Sequence, residues 1–164
     1  MDVPVVDDHP RKIRVADVRP DATLEASQGW VDMAVQWIVT RHSVGSQRTV
    51  FGITTMPPGG RHEIHRHPHA EEVEYLVQGE ALARVGDVDV RMRAGDVIFV
   101  RADESHGLWN TSATEPAVVV WCYGGAASLE EAGYVHEPDA NWTDTPTAAG
   151  KPNVAKNPTA GDDS

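Results

Sequence analysis

The sequence predicts an all-β protein rolled into a single barrel, and three observations carry that reading. Apolar and β-branched residues come in short runs, separated at regular intervals by polar turns, which is the pattern of a sandwich or barrel. His65 and His67 alternate with Arg66, so on a strand both imidazoles share one face. Glu72 and His106 belong to other strand segments, and four such side chains meet only where a sheet closes on itself.

The elements follow in order. Residues 33–40 and 48–56 are rich in β-branched and aromatic types and are joined by a turn at Val44, Gly45 and Ser46. Pro57 and Pro58 end the second run, because neither can donate to a strand ladder. Strands are predicted over 72–78, 80–85 and 88–92, the last two joined by a two-residue hairpin at Gly86 and Asp87. Ala94, Gly95 and Asp96 turn the chain into 97–101; His106 opens a short strand, and 116–123 is a nearly continuous apolar one. A single helical turn is predicted at Ser128, with Glu131 completing a capping box and Gly133 ending it.

Residues 1–30 read as an N-terminal extension in which 12–15 offers an edge strand, 31–136 as the barrel, and 137–164 as a flexible tail with Trp142 its main apolar anchor. The chain of 164 residues, 40% of them hydrophobic, suits one core rather than two. Its 25 acidic against 14 basic residues give a charge of −11, which argues against nucleic acid or an anionic membrane as partner. No apolar run nears the roughly 18 residues needed to span a bilayer. The start of the chain is polar and acidic, unlike a secretory signal, and the single cysteine, Cys122, fits a reducing cytoplasm and a place in the core. The expectation is a cytoplasmic protein, with short sheet edges that suit a homodimer.

His65, His67, Glu72 and His106 form a near-complete inner shell for one divalent transition metal. Imidazoles with one carboxylate suit iron(II), manganese, nickel or zinc better than calcium. Four protein ligands leave two positions of an octahedron open. Alternation from Glu72 places Glu74 on the same inward face, where a second carboxylate is expensive to bury unless it has work or a partner. Glu74 is the candidate acid or base, or the orienter of a ligand histidine.

The stretch from Gly59 to Gly79 reads G, five residues, H-x-H, four residues, E, six residues, G, and resembles the first motif of the cupin superfamily. Gly95 to Asn110, with His106 between them, is similar to the second motif. Two positions depart from the pattern: Arg101 stands where Pro is usual, and Asp103 where Gly is usual. Measured back from Gly79, the motif selects Glu72 rather than Glu71 as the ligand. The resemblance implies a single-domain jelly-roll barrel holding one metal, iron(II) first, with manganese, nickel or zinc as alternatives. It further implies a mononuclear metal enzyme on a small-molecule substrate. An iron(II) dioxygenase acting on a small oxygenated or aromatic compound leads. A non-oxidative isomerase, cyclase or lyase, and a non-catalytic small-molecule binder, are the alternatives.

The remaining candidates read as less functional. His62 and His69 flank the H-x-H pair and are expected in exposed turns, with His62 the nearer to the cavity rim. His9, His42 and His136 read as surface residues. Trp37 and Trp121 belong to the core, Trp109 packs outside the barrel, and Trp30 covers an opening. Phe51, Ile53, Met56 and Phe99 are wall candidates whose inward face is open. Arg48, Arg84 and Arg101 are the basic residues nearest the motifs, each exposed by default.

Overall fold

The computed structural model describes residue 3 and residues 5–142. The predicted tail therefore lies outside the described residues from 143 onward. Eleven antiparallel strands among the described residues form two sheets that face each other. One sheet orders β1 (Trp30–Val31), β4 (Arg61–Arg66), β9 (His106–Trp109), β6 (Glu80–Val85) and β7 (Val88–Arg93), with β11 (Val135–His136) also paired to β4. The other orders β2 (Ala34–Val39), β3 (Thr49–Met56), β10 (Ala117–Gly124), β5 (Glu71–Gln78) and β8 (Val97–Val100). Two one-turn helices, α1 (Arg41–Val44) and α2 (Leu129–Ala132), cap corners of the barrel.

Strand composition explains the layering. On β3 every second residue from Val50 to Met56 is buried, and on β5 the buried set is Glu72, Glu74 and Leu76. The core between the sheets gathers Val35, Val50, Met56, Leu76, Met92, Leu108, Val119, Trp121 and Tyr123. Gly79 turns β5 into β6 at φ 85, and a side chain there would meet the Pro116 carbonyl oxygen at 2.5 Å. No helix among the described residues is long and apolar enough to cross a membrane.

Several local expectations are refined. The turn after β2 contains α1, capped by Thr40, whose hydroxyl accepts from the amides of His42 and Ser43 while the Ser43 hydroxyl accepts from the Thr40 amide. Ser128 caps α2 as expected, but the Glu131 carboxylate accepts from the Ala127 amide rather than closing the box on Ser128. Residues 12–14 form no strand within this chain; Val15–Asp17 is a 3-10 turn whose flanks lie over β2, where the Gln36 amide donates to the carbonyls of Val15 and Val18.

β10 is apolar on both faces, as its near-continuous hydrophobic run requires. Its outward residues, Val118, Val120 and Cys122, are half-buried between Phe51 and Ile53 on β3 and exposed Val73 and Tyr75 on β5. Val97 and Phe99 extend this uncharged face onto β8. Cys122 thus sits on the outer face rather than in the core. Phe51, Ile53 and Phe99 point outward too, which leaves Met56 as the inward member of the four wall candidates.

Inside, Trp121 lies flat over Gly52, where a Cβ would stand 2.2 Å from the indole ring, and its Nε1–H donates to the Thr54 hydroxyl at 2.9 Å. Gly52→Ala should lower stability by about 1–3 kcal/mol through this overpacking, seen as earlier thermal unfolding by circular dichroism. An unchanged midpoint would show that Trp121 turns aside freely.

Candidate metal centre

His65 is the next-to-last residue of β4 on the inner face, His67 follows the strand directly, Glu72 is the second residue of β5 and His106 opens β9. One ligand atom from each lies within 4.8 Å of all the others, and all four side chains are buried. Two sheets supply them, so the cluster exists only in the closed barrel.

Each imidazole is aimed by a backbone carbonyl. His65 Nδ1–H donates to Glu63 O at 2.7 Å, His67 Nδ1–H to Gly133 O at 2.6 Å and His106 Nδ1–H to Glu104 O at 2.8 Å. A carbonyl only accepts, so Nδ1 carries a proton in all three, and Nε2 of each is turned to the centre. Nε2 of His65 and of His67 is buried without a hydrogen-bond partner. Buried polar atoms are rarely left so. Three imidazoles that turn Nε2 inward, two orphaned nitrogens and a facing carboxylate fit a divalent transition metal.

Electrostatics agree with the crowding. Burial, then the neighbouring histidines, pushes His65 well below its ordinary pKa. Burial also lowers His67, partly offset by Glu72. Burial works against charge on His106 as well. Here the hydrogen bond from Nε2 to Glu72 Oε2, at 2.9 Å, and the carboxylate charges outweigh it and hold the imidazole up at about 8. His106 and Glu72 would both be among the residues that hold a divalent ion.

Glu74 faces inward beside Glu72, with only 5% of its surface exposed and Oε2 lacking any hydrogen-bond partner. Burial and then repulsion from Glu72 raise its carboxyl to about 8, against the pull of His106. Glu71 points outward and is exposed, as the alternation requires. Beyond the ligands opens a cavity of about 320 Å³, mouth included, walled by Trp30, Met33, Met56, Leu108, Val119, Trp121 and Tyr123, with Thr54, His62, Glu72 and Glu74 as its polar points.

His62 departs from its expected exposed turn. It lies on β4, buried, with its ring stacked 3.9 Å from Trp30 and 3.7 Å from His65. The cause is a bulge: Arg61 and His62 pair with Trp109 and Leu108, but His65 pairs with His106, so β4 carries one extra residue. Simple alternation would send His62 and His65 to opposite faces, and the bulge returns both inward. His69 is exposed as predicted. Trp30 does cover the opening, and Trp109 packs outside the barrel against Trp142, with ring centroids 6.1 Å apart. Arg48 and Arg101 are exposed, and Arg84 is paired with Asp89; none lines the cavity.

The two departures from the motif are accommodated locally. Asp103 takes φ 62, the left-handed conformation glycine would adopt freely, and its carboxylate pairs with Arg66. The amide of Arg101, absent in a proline, donates to Glu104 Oε2 at 2.9 Å. Glu104 supplies the carbonyl that aims His106, so the altered turn still presents the ligand.

The profile of the Cupin domain matches residues 52–123. The chain is 28% identical over 105 residues to an oxalate-binding protein of Thermotoga maritima, covering 63% of this chain and 85% of that one. It is 30% identical over 114 residues to the tetracenomycin polyketide synthase protein TcmJ of Streptomyces glaucescens, covering 69% of this chain and 76% of that one. The solved polyketide cyclase RemF of Streptomyces resistomycificus superposes with a TM-score of 0.62 at 16% identity, over 76% of this chain and 83% of that one. The chain belongs to the cupin superfamily.

Proposed function

We propose that this protein is a metal-dependent enzyme that moves a proton on a small oxygenated, enolisable compound, as an isomerase, cyclase or lyase does. The observation that carries the reading is Glu74, a buried carboxyl with a partnerless oxygen on the wall of the cavity that the ligand set faces. A merely structural centre has no use for a second buried carboxyl so placed. His65, His67, Glu72 and His106 would hold the ion. When bound, it supplies Lewis-acid polarisation of a carbonyl or hydroxyl oxygen. Glu74 then takes or returns the proton, while the apolar walls formed by Trp30, Met56 and Trp121 exclude water. The polyketide-related names of TcmJ and RemF support redox-neutral chemistry on oxygenated carbon chains.

An iron(II) dioxygenase is the second reading, favoured by the two positions that four protein ligands leave open on an octahedral ion. The two part on oxygen. Manganese- or zinc-loaded protein is expected to turn over members of a panel of polycarbonyl compounds and hydroxyaryl ketones without air. Turnover confined to the iron form, with matching oxygen uptake at an electrode, would replace the first reading by the second. Glu74→Gln should lower kcat by about 100- to 10,000-fold with metal content unchanged; full activity in that variant would remove Glu74 from the chemistry.

Metal binding is tested directly. Titration of the metal-free protein should show one equivalent of zinc or manganese, and His106→Ala should weaken it at least about 100-fold, since even the groups behind a ligand contribute about 10- to 100-fold. Undiminished affinity would place the ion elsewhere.

For the assembly we infer a homodimer seated on the outer face of β3, β10, β5 and β8. Three strands about 26 Å long and β8 at about 13 Å, spaced about 4.8 Å apart, present roughly 440 Å² per copy. A symmetric pair would bury roughly 900 Å², the size of a weak, concentration-dependent contact. Phe99→Arg, at a position half exposed in the single chain, should convert the dimer to monomer in sedimentation at micromolar concentration. A monomeric parent protein, or a variant that still pairs, would refute this surface.

A further inference from the structure

We propose that the cavity takes a ligand that arrives uncharged: a small hydroxyaryl ketone or short 1,3-dicarbonyl, with two neighbouring oxygens at one end and an apolar body at the other. Small dicarboxylates such as oxalate are then excluded. This rests on the metal reading above and narrows it to a substrate class.

Charge is the first argument. Two carboxylates, Glu72 and Glu74, stand in the wall, and among the described residues no arginine or lysine joins them. The nearby cations are spent elsewhere: Arg61 on Glu63, Arg66 on Asp103 and Glu137, Arg84 on Asp89. A divalent ion and the Glu72 carboxylate leave one positive charge. A ligand that gives up a single proton neutralises it. A dianion leaves at least one net negative charge in a buried space of low dielectric, and more if Glu74 is ionised, so the conclusion does not depend on the state of Glu74.

Hydrogen-bonding sense is the second. The Tyr134 hydroxyl donates its one proton to Gln28 O at 2.6 Å, so it must accept from His62 Nε2–H at 3.3 Å. His62 Nδ1 is therefore a bare lone pair, with no partner among the described residues, on a side chain that lines the cavity. On that wall His62 is an acceptor. A hydroxyl-bearing ligand can donate to it, whereas oxalate brings acceptors only.

Shape is the third. Trp30, Met33, Met56, Leu108, Val119 and Trp121 make the remaining walls apolar. That suits a small ligand with an apolar body.

The test is binding, not turnover. Zinc-loaded protein, freed of excess metal by dialysis, is titrated at pH 7 with 2-hydroxyacetophenone, acetylacetone, oxalate and malonate. Tryptophan fluorescence is the readout, and zinc retention is checked afterwards. The neutral compounds should bind at least tenfold more tightly than oxalate. Oxalate binding as tightly as the neutral compounds, or no binding of either neutral compound to zinc-retaining protein, would overturn this inference alone. Failure to take up zinc at all would end the metal reading and this one together.

Discussion

Three backbone carbonyls, those of Glu63, Glu104 and Gly133, determine how this protein can act, because they fix which nitrogen each histidine offers to the centre. An imidazole whose Nδ1–H is engaged cannot rotate away or change tautomer without breaking a hydrogen bond, so the donor set is arranged before any ion arrives. That arrangement leaves bare nitrogens buried beside a carboxylate, which a folded chain tolerates only when something is to be held there. The barrel is the means of bringing the loops that own these carbonyls to one point.

Much of this was legible in the chain because strand periodicity and ligand spacing agree. The alternation of His65 with His67 and of Glu72 with Glu74, and the outward placement of Glu71, follow from a period of two and hold in the structure. His62 was misplaced because a bulge breaks that period, and a bulge is set by pairing with β9, which lies more than forty residues further along. Likewise β1 and β11 are two-residue pairings on β4, too short to leave a periodic trace. The outward turn of Cys122 was hidden for the opposite reason: a strand apolar on both sides carries no signal of which side faces the core. Asp103 shows that a motif glycine marks a backbone conformation rather than a chemical need, since a short acidic side chain anchored by Arg66 serves there too.

The fold alone does not choose a reaction, and the relatives this chain resembles carry different names. Discrimination lies in the wall behind the ligands. Two carboxylates, His62 and a lining of tryptophan and methionine form that wall. The aromatic stack of Trp30 on His62, and of His62 on His65, joins that wall to the ligand shell, so the shape of the cavity and the geometry of the centre are not independent.

The segment from Gly133 to Glu137 runs outside the barrel yet completes it. Gly133 supplies the carbonyl for His67, Val135 and His136 pair with Arg66 and His65, and the Glu137 amide donates to Ile64 O. This strap is a latch across the back of the donor set. Because an occupied centre needs His67 held in place, occupancy and latching reinforce each other by linkage. Loss of this strap would remove the carbonyl that orients His67, so the donor set depends on five residues of which none is a ligand candidate.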